Sequence, residues 1–124
     1  NCGVGASDLI RTIQEFSKAS PNEILIAKGN AGIPKYVDGH IHYDGTPDLM
    51  ARYAVMARNS GAKIIGGCCG TKSKHLRLMR AALESEDLGS IPLLEQVQLE
   101  IGPFSSPYVN EAKKRISKRR RCRE

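Results

Sequence analysis

No run of this sequence approaches the roughly 20 apolar residues that a helix needs to cross a bilayer, and the N-terminus lacks the basic and apolar regions of a secretory signal. Neither membrane insertion nor export is indicated, and a cytoplasmic protein is expected. An initiator methionine is missing as well. The chain starts at Asn1, and Cys2-Gly3-Val4-Gly5 has the character of a strand-to-helix loop, so a fragment of a longer protein is expected. Residues 1 to 110 have no excess of either charge, with 11 basic residues against 11 acidic ones. The whole formal charge of +6 sits in residues 111 to 124, where eight Lys or Arg face only Glu111 and Glu124. The basic excess therefore belongs to a tail and gives the folded part no surface for a specific nucleic acid. A hydrophobic share of 40% over 124 residues is that of a globular chain.

Other patterns are missing too. Gly66-Gly67 with Gly70 is not followed by the Gly-Lys-Ser/Thr of a phosphate loop. No Asn-Gly or Asp-Gly is seen to join two strand-like runs, since Asp44-Gly45 leads into a helix, so the strands are expected to be parallel with right-handed helical crossovers.

What is present alternates. Ser7-Asp8 is placed to cap a helix with Leu9, Ile13 and Phe16 inward, ending near Ser20-Pro21. Ile24 to Ala27 is a short, continuously apolar run that suits a strand covered on both faces, and the loop Gly29 to Pro34 ends it. Thr46-Pro47 opens a helix over about 47 to 60, with Leu49, Tyr53 and Ala57 as its stripe and Gly61 closing it. Ala62 to Ile65 is a second buried strand, after which Ser73 opens a helix with Leu76, Met79 and Leu83 inward. Pro92 with Leu94, Val97 and Ile101 predicts one more short helix, and 102 to 107 a loop. This α/β order matches the last units of an eight-stranded β/α barrel and part of an open doubly wound sheet equally well.

The cysteines carry the chemistry. Cys68 and Cys69 directly follow a predicted strand, at the end where β/α folds place their sites. Adjacent side chains on an extended strand point to opposite faces, so both thiols reach one ion only if the backbone bends, which flanking glycines permit. Cys2 precedes a helix and belongs to an equivalent loop. A catalytic zinc site characteristically has three protein ligands and leaves the fourth position open, and three thiols on one rim satisfy that count. The spacing equally admits buried packing cysteines or a strained vicinal disulfide.

Asn1-Cys2, the loop Gly29-Asn30-Ala31-Gly32-Ile33-Pro34, and Gly66-Gly67-Cys68-Cys69-Gly70-Thr71 followed by His75 and Arg77 together resemble the homocysteine S-methyltransferase family, over residues 1 to about 83. The resemblance implies a TIM (β/α)8 barrel of which this chain supplies about the last three units in 1–88. A C-terminal extension then occupies 89–110 and a basic, disordered tail 111–124. It implies that Cys2, Cys68 and Cys69 ligate a catalytic Zn2+, and that the partners are L-homocysteine and a small methyl donor. Betaine is favoured by Asn30 and Asp44-Gly45-Thr46-Pro47, with S-methylmethionine and methyltetrahydrofolate as alternatives. Asn30 is read either as a substrate-binding residue, its side-chain oxygen meeting homocysteine or the vacant zinc position, or as a turn former.

His40 and His42 read as an exposed strand edge, His75 as a structural or surface residue in the first turn of its helix rather than a catalytic base, and Cys122 as an uncoordinated thiol. Tyr36 and Tyr43 line a pocket or cover a core. The rival expectation is a non-catalytic zinc-binding module whose basic tail holds nucleic acid in a salt-dependent way.

Overall fold

The computed structural model describes residues 1–105; the basic tail and Cys122 lie outside the described residues. Helix α1 (Ala6–Ala19) begins one residue before the expected cap, with Gly5 at the N-cap position and no capping side chain. Asp8 falls inside the first turn instead. There its charge complements the positive end of the helix dipole, and its carboxylate accepts from Arg11 at 3.1 Å and from the Ser105 N–H at 3.1 Å. Leu9 and Ile13 are buried as the pattern required, with Ile10 buried beside them, but Phe16 is 54% exposed, since it lies beyond the stretch of helix that the core covers.

Strands β1 (Leu25–Gly29) and β4 (Ala62–Gly67) pair in parallel, with Ala27 opposite Ile65 and Gly29 opposite Gly67. Partners in register share a face. The face with Ala27 lies under helices, whereas Ile26 and Ile64 on the other face are 49% and 51% exposed. The expectation of strands covered on both sides therefore fails for the described residues, whose helices cover one face only.

Helix α2 (Pro47–Asn59) runs between these strands in sequence and fills the middle of the molecule, with Met50, Tyr53, Ala54, Met56 and Ala57 all buried. Thr46 caps it as expected, its Oγ1 accepting from the Leu49 N–H at 3.2 Å, and Pro47 stands at the first helical position. Helix α3 (Ser73–Ser85) packs against α2 through Met79, while Leu76, expected inward, is 48% exposed. Arg58 of α2 ties down the end of α3 by donating to the carbonyls of Leu83, Glu86 and Asp87. The predicted short helix is α4 (Leu94–Ile101), whose Val97 and Ile101 close the core against α1 and α2. Its lead-in is anchored by the buried Gln14 amide, which donates to the Pro92 carbonyl at 2.9 Å.

One element was not expected. Strands β2 (Pro34–Val37) and β3 (His40–Tyr43) form an antiparallel hairpin around Asp38-Gly39. Both turn residues have positive φ, 50° and 78°, which is what the two-residue hairpin turn of type I′ demands. The Asp-Gly signal for this turn stands at 38–39, between flanking runs of only four residues each. The hairpin is an insertion between β1 and α2, so it leaves the β1-α2-β4 unit intact. Among the described residues the sheet has two parallel strands and does not close into a barrel.

Candidate metal centre

Three chain segments converge at the C-terminal ends of β1 and β4. The first four residues run beside β1, where the Asn1 Oδ1 accepts from the Lys28 N–H at 2.8 Å and the Val4 carbonyl accepts from the Asn30 N–H at 3.3 Å. On the other side of β1, the Cys68 N–H donates to the Gly29 carbonyl and the Ala31 N–H to the Cys69 carbonyl, both at 2.9 Å. The sheet pairing is thus prolonged past the strands, and it carries Cys2 and the double cysteine to the same rim.

The bend between the two neighbouring thiols is a turn. The Thr71 N–H closes onto the Cys68 carbonyl at 3.1 Å, and Gly70 takes a φ of +78°, which glycine adopts without strain. Cys2 Sγ lies 3.5 Å from Cys69 Sγ and Cys68 Sγ lies 3.9 Å from Cys69 Sγ, with all three within 4.8 Å of one another. A disulfide bond is about 2.05 Å long, so the vicinal disulfide allowed by the sequence is not formed, and all three thiols are free. Sulfurs bound tetrahedrally at 2.3 Å from zinc stand roughly 3.8 Å apart. The donor set and its spacing therefore fit a three-thiolate zinc site.

The thiols perturb one another. Hydrogen bonding to Cys69, and then to Cys68, raises the pKa of Cys2, because a second thiolate is disfavoured beside the first. Cys68 is lowered, chiefly by the backbone N–H of Cys69. Cys2 and Cys69 are exposed and Cys68 half-buried, so the cluster is open to an incoming ligand.

Asn30 is buried between Gly29 and Ala31, the two residues that pair with the cysteine loop. Its carbonyl accepts from the Gly32 N–H at 2.8 Å, so it does form a turn, but its side-chain Oδ1 is buried with no protein partner. Buried acceptors are normally satisfied, and one left open beside a candidate site points to a ligand. Thr71 Oγ1 is in the same condition.

His75 links two loops. Its Nδ1 accepts from the Lys72 N–H at 3.0 Å, and its Nε2 lies 2.9 Å from the Gly45 carbonyl, which fixes the proton on Nε2. His40 and His42 stand exposed on the hairpin, outside the cluster; among the described residues only Cys2, Cys68 and Cys69 form such a group of potential ligands. Tyr36 is 78% exposed, whereas Tyr43 is half-buried against Gly70. Partial burial and the neighbouring thiols of Cys69, Cys2 and Cys68 raise the Tyr43 phenol. A cavity of about 340 Å³ between the start of α1, the base of the hairpin and Gly102 is separate from the thiols, none of which lines it.

No helix among the described residues is long and apolar enough to cross a membrane. The homocysteine S-methyltransferase family model matches residues 1–83. A methionine synthase of Mycobacterium leprae is 29% identical over 93 residues, which are 74% of this chain and 8% of that protein. The chain thus spans less than a tenth of the length of this curated relative.

Proposed function

This chain belongs to the homocysteine S-methyltransferase family, and from that membership we propose that the protein moves a methyl group onto the thiol of L-homocysteine to form methionine, at a zinc ion held by Cys2, Cys68 and Cys69. The observation that carries the proposal is the meeting of three free thiols within 4.8 Å of one another, brought together across 67 residues of chain.

A thiol bound to zinc is deprotonated outright at neutral pH, and this supplies the sulfur nucleophile that a free thiol, with its pKa near 8.5, mostly lacks. The three cysteine thiolates set the electronic character of the site: with −3 against +2 it carries a formal charge of −1, so the substrate sulfur stays electron-rich. Three protein ligands would leave a zinc ion room for a substrate thiol, and the exposure of Cys2 and Cys69 keeps the cluster accessible to one. The sulfur–carbon bond to the methyl group forms as the bond between that methyl and its donor breaks. No protein side chain need act as a covalent nucleophile.

Asn30 is proposed to serve the same opening. Its unpartnered Oδ1 contacts homocysteine, or takes the open position when substrate is absent. Betaine is the donor favoured here, with S-methylmethionine and methyltetrahydrofolate as the alternatives to assay beside it. We also take α1 to α3 as closing units of a (β/α)8 barrel, supported by the parallel β1-α2-β4 unit and by the position of the thiols past its strand ends. An adjacent Cys68-Cys69 pair grouped with Cys2 suits metal binding better than a secreted disulfide scaffold, which supports a cytoplasmic location.

The test is the zinc content of the protein purified under reducing conditions, beside its Cys68→Ser variant. About one zinc per chain, lost in the variant, together with methionine formation from homocysteine and a donor, is the expected result. Protein that stays metal-free after zinc is added would sink the proposal.

A further inference from the structure

Tyr43, the last residue of β3, lies on the double-cysteine turn. A Cβ at Gly70 would overlap the Cβ, Cγ and Cδ1 atoms of Tyr43, so ring and turn touch only because residue 70 has no side chain. Partial burial and then the Cys69 thiol raise the Tyr43 phenol, the direction expected of a hydroxyl that faces a thiolate. The rest of the hairpin is exposed, which leaves Tyr43 as its half-buried end.

The backbone that carries Tyr43 is held in place two residues later. Gly45 donates its N–H to the Ala31 carbonyl at 2.8 Å, and its own carbonyl meets His75 Nε2 at 2.9 Å. A Cβ at Gly45 would overlap the Ala31 carbonyl, so the two backbones are in direct contact. Ala31 in turn donates to the Cys69 carbonyl. One hydrogen-bonded chain, His75 to Gly45 to Ala31 to Cys69, thus fixes the strap that seats Tyr43 on the Gly70 turn.

We infer that Tyr43 is a positioning residue of the thiol centre, its ring seating the Gly70 turn and its hydroxyl donating to the Cys69 thiolate. The inference rests on the zinc reading above. Groups that hydrogen-bond to metal ligands orient them and tune their donor strength, and losing one commonly costs about 10–100-fold in metal affinity. A hydrogen bond to a thiolate also withdraws charge from the sulfur. Its removal therefore moves sulfur-to-metal charge transfer to lower energy.

The experiment compares the protein with Tyr43→Phe and Tyr43→Leu after metal removal under reducing conditions. Zn2+ affinity is read by competition with a chromophoric chelator, and Co2+ is added separately to read the charge-transfer band. Tyr43→Phe keeps the ring on Gly70 and loses only the hydroxyl. It should fold as the parent does, bind Zn2+ about tenfold more weakly and shift the Co2+ band to lower energy, while Tyr43→Leu should lose about 100-fold. Variants with a parental Co2+ spectrum and Zn2+ affinities within about twofold of the parent would overturn the inference, even if their thermal midpoints fell. Parent protein that takes up neither ion overturns the zinc reading, and this inference with it.

Discussion

The phenol of Tyr53 lies in the centre of the core and accepts a hydrogen bond from the Gly29 N–H at 3.3 Å, so a single side chain joins the core to the strand end next to Asn30. Burial pushes this phenol up to about 12, because the phenolate cannot be solvated there. The sign of the consequence follows from the unfolded chain, in which a tyrosine ionises near pH 10. Below that pH the stabilisation is complete; as pH rises from about 10 towards 12 the unfolded form releases its proton first, and stability is lost. Denaturant unfolding of the intact protein at pH 9 and pH 11.5 should show a fall from this residue of at most about 3 kcal/mol. Tyr53→Phe should remove that part of the fall, at a cost of about 1–3 kcal/mol at neutral pH for leaving the Gly29 N–H unpartnered. A parental pH slope in the variant would contradict the assignment. That Tyr53 faces inward was legible from its place in the stripe with Ala57; its partner was not, since the Gly29 N–H is 24 positions away.

At the level of elements, the hairpin matters because of what it is fastened to. His75 caps α3 by accepting from the Lys72 N–H and holds the hairpin base through the Gly45 carbonyl, in a buried setting where water offers no full replacement. His75→Ala should therefore lower the stability of the intact protein by roughly 2–4 kcal/mol, two buried hydrogen bonds at about 1–2 each. It should also speed amide exchange in residues 34 to 43 more than in α2. Unchanged exchange in the hairpin would show that His75 does not hold it. The helices and parallel strands were readable from their periodicity and caps, with Thr46-Pro47 the clearest, because these signals are local. The hairpin is harder to read because its strands have four residues each and the face that pairs Pro34 with Tyr43 and Tyr36 with Ile41 is largely exposed, so the alternation is too short to stand out.

For the molecule as a whole, the telling feature is the uncovered face of the β1-β4 pair, where Ile26 and Ile64 are half exposed, with Ile24 just before β1 at 71%. Unpartnered apolar surface beside an open strand edge promotes association. The 124-residue chain expressed alone should therefore self-associate or unfold without a sharp transition, checked by sedimentation and thermal melting. A monomer with one cooperative transition would refute this. The sequence by itself determined the alternation of helices and parallel strands, the double-cysteine turn at a strand end and the family, because each rests on local residue types and spacings. Only the tertiary structure decided that Cys2 meets Cys69 across 67 residues, that the Asn30 side-chain oxygen is buried without a partner, and that Tyr43 rests on Gly70. Such meetings depend on how β1 lies between the N-terminal segment and β4, and that arrangement is set by packing against α1 and α2, which no local pattern encodes.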